Sequence, residues 1–160
     1  MTSLRTHVQR RPATAADEPL LRELFRSTRS LELALMPWDD AAKEAFVSMQ
    51  LQAQQAHQQR EHPDARSEVI TVDGVPAGRL VVDPGPDGVH LVDVALLPAY
   101  RGRGIGGQLL AELLAEAGEL PVTLQVERGS PARLLYERLG FRVVAAGPVH
   151  DRMQRGPGAS

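Results

Sequence analysis

The sequence predicts an α/β domain with a mixed, mostly antiparallel central sheet of six to seven strands flanked by helices. Three observations carry this. Apolar residues recur at helical spacing as far as His62-Pro63 and then alternate with polar ones after Asp64. The stretch LVDVALLPAYRGRGIGG, residues 91–107, ends an apolar run at a proline and passes through a basic, glycine-dense turn into a helical pattern. With 160 residues, 42% of them apolar, the chain suits one core and is short for two, so residues 1–154 are assigned to a single domain and 155–160 to a disordered tail.

Residues 7–11 read as a short edge strand that halts at Pro12, and Thr14-Ala-Ala-Asp17 reads as a helix start. Leu20, Leu21, Leu24, Phe25 and, past a polar gap, Leu31 share a helical period, giving a first helix to about Arg29 that LELALMPW interrupts. Asp39 and Asp40 are capping residues for a second helix ending near His62-Pro63. Its apolar stripe of Phe46, Met49, Ala53 and Ala56 is assigned to the core or to a homodimer contact.

Strands at 68–72 and 77–82 flank the turn Asp73-Gly74, and DPGPDG at 83–88 leads into a strand at 90–97, which together make an antiparallel meander. Ile105, Leu109, Leu110, Leu113, Leu114 and Ala117 mark the best-defined helix, ended by Gly118. A strand at 122–126 follows, so strand, helix and strand form a right-handed parallel crossover. A further helix at 131–139 is expected to turn Leu134, Leu135 and Leu139 inward, Gly140 stops it, and 141–145 and 149–153 read as closing strands.

Composition narrows the function. A formal net charge of −2 gives no basic footprint for nucleic acid, and no apolar run approaches the ~20 residues of a membrane span. The absence of cysteine removes disulfides, thiolate metal sites and cysteine nucleophiles, and MTSLRTHVQRRP has no apolar signal core, so a cytoplasmic protein without nucleic-acid or membrane partners is expected.

The glycine turn is a candidate diphosphate cradle. Gly102, Gly104 and Gly106 let backbone N–H groups approach a ligand, the helix dipole adds partial positive charge, and Arg101 and Arg103 add whole charges. A tight strand-to-helix connection with solvated arginines is the plainer alternative. Gly107-Gln108 lacks the Lys-Ser/Thr of a Walker turn, and the position after a meander fits a dinucleotide fingerprint poorly.

The string RGRGIG at 101–106 resembles the Arg/Gln-x-x-Gly-x-Gly/Ala signature of the GCN5-related N-acetyltransferases, and SPARLLYERLGF at 130–141 is similar to their second signature, in the same order and separation. The resemblance covers most of the chain from about Glu68. It implies an acyl-coenzyme A N-acyltransferase fold with helices on both sheet faces, acetyl-coenzyme A as donor, no metal, and a donor site where two parallel strands splay apart. On that resemblance Arg101, Gly104 and Gly106 surround the pyrophosphate, with Gly102, Arg103 and Ile105 lending backbone N–H groups. Leu96 and Leu97 pair their backbone with the pantetheine arm. Ser130 stands where many members have asparagine, so its contact to that arm is shorter or water-mediated.

The implied reaction is direct attack of a primary amine, of a small molecule or a peptide, on the thioester. The N–H of Leu96 is the expected oxyanion donor, and Tyr136 matches the family tyrosine near the coenzyme sulfur, a general acid or else a packing aromatic. Glu127, sharing a strand face with Thr123 and Gln125, is the first candidate base, and Asp93 inside the apolar run LVDVALL is the second. His90 is a candidate proton relay or a surface residue at a strand end. Acceptor specificity is expected from the first two helices, with Met36 and Trp38 as apolar lining and Glu32 attracting a cationic amine, unless Trp38 plugs the core. Gln54, Gln55, His57 and Gln58 form a polar pocket or a solvated helix face. A coenzyme A-binding module without catalysis and a nucleotide-binding regulator remain open alternatives at this point.

Overall fold

The computed structural model describes residues 7–156. Seven strands form one sheet: β1 (Val8–Pro12), β2 (Arg66–Val72), β3 (Val75–Pro84), β4 (Val89–Leu96), β5 (Val122–Glu127), β6 (Arg142–Ala146) and β7 (His150–Arg155). Their order is β1-β2-β3-β4-β5-β7-β6, and every neighbouring pair is antiparallel except β4 with β5. The β2–β3 turn is as sequence chemistry demands, because Asp73 and Gly74 both take positive φ, 51° and 82°, the conformation a two-residue hairpin requires.

The first 3 helices, α1 (Glu18–Thr28), α2 (Ser30–Leu35) and α3 (Asp40–Glu61), lie on one face of the sheet, and α4 (Ile105–Ala117) and α5 (Ala132–Arg138) lie on the other. The main core is between the sheet and α4, where Ile105, Leu109, Leu110 and Leu113 pack on Ile70, Leu80, Leu91, Leu124 and Met153. The opposite face is more broken up. There Leu20 and Leu24 of α1 meet Val69, while Phe25, Leu33 and Val47 join the three leading helices.

Several expectations are corrected. Pro12 is inside β1, where an edge position spares it the missing N–H. LELAL folds as α2 after a one-residue break at Arg29, burying Leu33 and leaving Leu31 and Leu35 in solvent. The inward face of α3 is Val47 and Leu51, continued by the half-buried Gln55 and Gln58, whereas Met49, Ala53 and Ala56 are exposed. Two glutamines on the packed face concealed it, and the apolar stripe read from the sequence is centred about half a turn away. Leu134 is also exposed, since α5 turns Ala132, Leu135 and Tyr136 to the core. β7 runs on to Arg155, one residue into the expected tail, and residues 1–6 and 157–160 lie outside the described residues.

Candidate active site

The parallel pair is short. Only Val89↔Val122, His90↔Thr123 and Leu91↔Leu124 are in register, after which β4 and β5 diverge. A bulge sits at this point: Val82 faces Leu91 and Val81 faces Asp93, so Val92 is the extra residue.

Strand alternation then decides which amides face the gap. The N–H of Leu97 donates to the carbonyl of Ala77 at 2.8 Å, which makes that pair a hydrogen-bonded one. Gly78↔Leu96 and Leu80↔Val94 are therefore non-bonded pairs toward β3, and the backbone groups of Leu96 and Val94 point to the diverging β5 side. Val94, deeper in the gap, was missed in the sequence because a backbone donor leaves no side-chain signature. Leu97 is corrected: its N–H is taken by Ala77 and its carbonyl accepts from the N–H of Tyr100 at 2.9 Å.

The glycine turn closes the open end of the gap. Gly102 and Gly104 have φ of 73° and 78°, and an added Cβ at either would meet nothing within 4 Å, so conformation and not space requires glycine there. Gly104 caps α4, whose first helical bond runs from the N–H of Gln108 to the carbonyl of Gly104. The N–H groups of Ile105, Gly106 and Gly107 precede that bond and remain without a helical acceptor. Arg103 is exposed and lies over the Tyr100 ring at 5.6 Å. Arg101 is used differently from expectation: its Nε–H donates to the Leu96 carbonyl at 2.9 Å and its Nη2 to Ser27 Oγ at 3.2 Å, bracing the end of β4 against α1.

Tyr136 is 8% exposed and sits edge-on to Phe141. Burial, reinforced by the negative charge of Asp93, pushes its hydroxyl above the usual phenol range, so it carries its proton throughout neutral pH. Ser130 is turned inward to its own helix, its Oγ accepting from the N–H of Ala132 at 3.3 Å.

The two candidate bases fare differently. Asp93 is bound through Oδ2 to both Nε–H and Nη2–H of Arg79, a residue only 6% exposed, so the carboxylate inside LVDVALL has a structural partner. Arg79 was the residue the sequence reading missed; an arginine and an aspartate on adjacent central strands were the available signal. Glu127 ends β5 opposite His150, exposed, on the face shared with Thr123 and Gln125 as expected.

On the α3 side of the sheet a groove of about 1040 Å³ runs between α3, the 83–88 turn, β4, β5 and β7. Gln54, His57, Gln58, His62, His90 and Gln125 are among its walls, so the polar face of α3 lines a cavity. Gln54 also lines a separate pocket of about 80 Å³ with Leu24, Phe25, Arg79 and Asp93, under α1 beside β4. The three expected acceptor residues are elsewhere. Glu32 is exposed and paired with Arg29, Met36 packs on the Phe25-Leu33-Val47 cluster, and Trp38 is a 45% exposed ring set edge-on to Phe46. Among the described residues no group of three or more His, Cys, Asp or Glu is arranged to hold a metal ion, and no helix is long and apolar enough to cross a membrane.

Comparison with known proteins agrees with this geometry. A [ribosomal protein bS18]-alanine N-acetyltransferase of Haemophilus influenzae is 41% identical over 61 residues, 36% of this chain and 42% of that protein. An uncharacterized protein of Mycobacterium leprae is 41% identical over 56 residues, 34% of this chain and 16% of that protein. The chain thus matches less than half the length of either relative. The crystal structure of a Thermoplasma acidophilum PaiA N-acetyltransferase in complex with coenzyme A superposes with a TM-score of 0.68 at 18% identity, covering 94% of this chain and 99% of that one. The acetyltransferase (GNAT) domain family matches residues 63–143, from the end of α3 through both signatures to β6. That match spans just over half of the chain, and the chain belongs to the GNAT acetyltransferase family.

Proposed function

We propose that this protein transfers an acetyl group from acetyl-coenzyme A to a primary amine, with a peptide or protein N-terminus as the favoured acceptor class. The observation that carries the reading is the gap itself: the amides of Val94 and Leu96 face it from β4, unbonded N–H groups of α4 lie at its mouth, and the buried Tyr136 is near enough to Asp93 of β4 to feel its charge. These residues suit coenzyme A. The α4 N-terminus and Arg103 offer donors and positive charge to a pyrophosphate, and the β4 edge offers strand-like pairing to an amide-bearing arm.

When bound, acetyl-coenzyme A supplies the activated acyl group. The Val94 and Leu96 N–H groups, roughly 7 Å apart on one edge of β4, are fixed by the sheet before reaction; one donates to the oxygen that gains charge on attack and the other pairs with the amide-bearing arm. Arg101 holds the Leu96 carbonyl and so braces the end of β4, one peptide beyond the Leu96 N–H. Tyr136, protonated at neutral pH, gives its proton to the departing sulfur, and the proton that the attached nitrogen loses on collapse balances its reprotonation. The groove admits the acceptor from the face opposite α4. Its volume of about 1040 Å³ lies at the upper end of small-ligand pockets, and its long, open shape suits an extended peptide. The bS18-alanine relative supports the same acceptor class.

The test is thiol release from acetyl-coenzyme A in the presence of peptides with free N-termini and of small amines. Saturable, amine-dependent release is expected, with N-acetylated product by mass spectrometry. Coenzyme A binding without turnover on any amine would leave only a binding module, and a thermal shift with ATP or NAD but none with coenzyme A would discard the donor assignment.

A further inference from the structure

Four polar side chains from four elements meet on the floor of the groove. His62, the residue that caps the end of α3, places Nδ1 2.9 Å from Asp83 Oδ2 of β3. His90 of β4 places Nδ1 2.8 Å from Thr123 Oγ1 of β5. The two imidazoles stack at 5.2 Å between centroids and 21° between planes. A hydrogen-bonded aspartate, a stacked pair of histidines and a threonine are more organisation than a solvated strand end needs.

The position of the cluster along β4 gives it a use. His90 precedes Leu91, the last residue paired with β5, and Val92 lines the same groove. We propose that His90 accepts the proton that the acceptor amine must lose before it can attack, with Thr123 and the His62–Asp83 pair as positioning residues. This rests on the acetyl-transfer reading and assigns the base that Asp93, committed to Arg79, does not supply.

The proton balance is simple. With Nδ1–H donating to Thr123 Oγ1, His90 Nε2 carries the lone pair. An ammonium group entering the groove over Val92 and Asp93 lies two to three residues from His90, roughly 7–10 Å along the strand. The reach of the imidazole and one bridging water cover that distance. The N–H bond of the ammonium breaks, the proton is taken up at Nε2, and the neutral amine is left with its lone pair free. The imidazolium then returns its proton to solvent through the open groove.

The charges facing His90 fit an acceptor of protons that does not hold them. From α3 come His57, Glu61 and His62, from β3 Asp83, from the following turn Asp87, and from β7 His150 and Arg152. Burial first, then the nearness of His62 and Arg152, lowers the His90 pKa from its ordinary value, while Asp83 acts in the opposite sense. His90 is therefore neutral and ready to accept at neutral pH, and the nearby Arg152 guanidinium hastens release.

The experiment pairs kinetics with a measurement that needs no substrate. On the full chain labelled with 15N, long-range histidine correlations at neutral pH should show His90 as the Nδ1–H tautomer, titrating below an ordinary histidine, and Thr123→Val should shift that tautomer balance. With acetyl-coenzyme A and an N-terminal alanine peptide, His90→Ala should lower kcat/KM at pH 7 by tenfold or more. The KM for acetyl-coenzyme A should stay the same. The loss should shrink as pH rises and the amine deprotonates unaided, and added imidazole should restore part of the rate. His62→Gln should move the acidic limb of the pH profile by less than His90→Ala. A His90→Ala protein that keeps the wild-type pH profile, or an Nε2–H tautomer at His90, would overturn the assignment while leaving acetyl transfer standing. Wild-type protein that binds coenzyme A yet acetylates no amine would remove the acetyl-transfer reading itself, and this inference with it.

Discussion

Arg79, buried in the middle of β3, holds Asp93 of β4 by two hydrogen bonds to a single carboxylate oxygen, Oδ2. The pair lines the pocket under α1, and it decides how Asp93 should be read. Arg79 keeps only 7% of its side chain accessible, so loss of its counter-charge would strand a guanidinium in a low-dielectric site. Asp93→Asn should therefore destabilise the fold by about 2–4 kcal/mol, less than for a fully enclosed pair because Asp93 retains partial solvent contact. Arg79→Met combined with Asp93→Leu should recover most of that loss in urea unfolding. If Asp93→Asn instead left stability intact and abolished turnover alone, Asp93 would be the base after all.

That pair also shows where sequence reading ends. The meander, the parallel crossover and α4 were legible because each is written in local periodicity and turn chemistry, and the glycine cradle because left-handed φ at Gly102 and Gly104 demands a residue type. The function of Asp93 was not legible, since its partner lies one strand away and depends on a register that a bulge at Val92 shifts. The inward face of α3 was hidden for a related reason. Gln55 and Gln58 are half-buried and line a smaller pocket beside β2 and β3, so hydrophobicity does not mark the packed side.

The two signature glycines should respond oppositely to alanine. At Gly104, φ of 78° puts an L-residue into strain of roughly 1–2 kcal/mol and tilts the first turn of α4, so Gly104→Ala should lower Tm and weaken coenzyme A binding together. At Gly106 the helix is regular and an added Cβ would stand 3.7 Å from Leu135, ordinary contact. Gly106→Ala should leave Tm within a degree or two and retain binding. Isothermal titration with coenzyme A, alongside thermal melts, separates the two cases. Equal losses for both variants would mean that the cradle needs open space and not backbone freedom.

Tyr136 tests the acid. Tyr136→Phe keeps the edge-on contact with Phe141 and removes only the hydroxyl, so stability should change little while kcat falls about 10–100-fold, a thiolate needing less protonation than an alkoxide. The raised pKa sets the sign of the pH dependence. A proton donor is lost as pH rises through its pKa, and burial moves that limb above the ordinary phenol value of about 10, so wild-type kcat should show no tyrosine-linked loss between pH 7 and 9. An unchanged kcat in Tyr136→Phe would reduce the residue to packing.

Asp17 offers a prediction about the helices that cover the acceptor side. It accepts 3.0 and 2.7 Å bonds from the Arg11 guanidinium and a 2.7 Å bond from the Thr14 N–H, tying β1 to the start of α1. The Arg11 bonds, then the Thr14 N–H, lower its carboxyl to about 2. A depressed folded-state pKa stabilises the native chain above the unfolded value near 3.9 and ceases to do so as pH falls through about 2. Because Arg11 is 43% accessible, solvent screening reduces the linked stability at neutral pH to on the order of 1–2 kcal/mol. Asp17→Asn should thus cost that amount in urea unfolding at pH 7, and the gap between variant and wild type should narrow steadily from pH 4 downward and close near pH 2. A gap that stayed constant across this range would assign the loss to the Thr14 hydrogen bond alone and not to the charge.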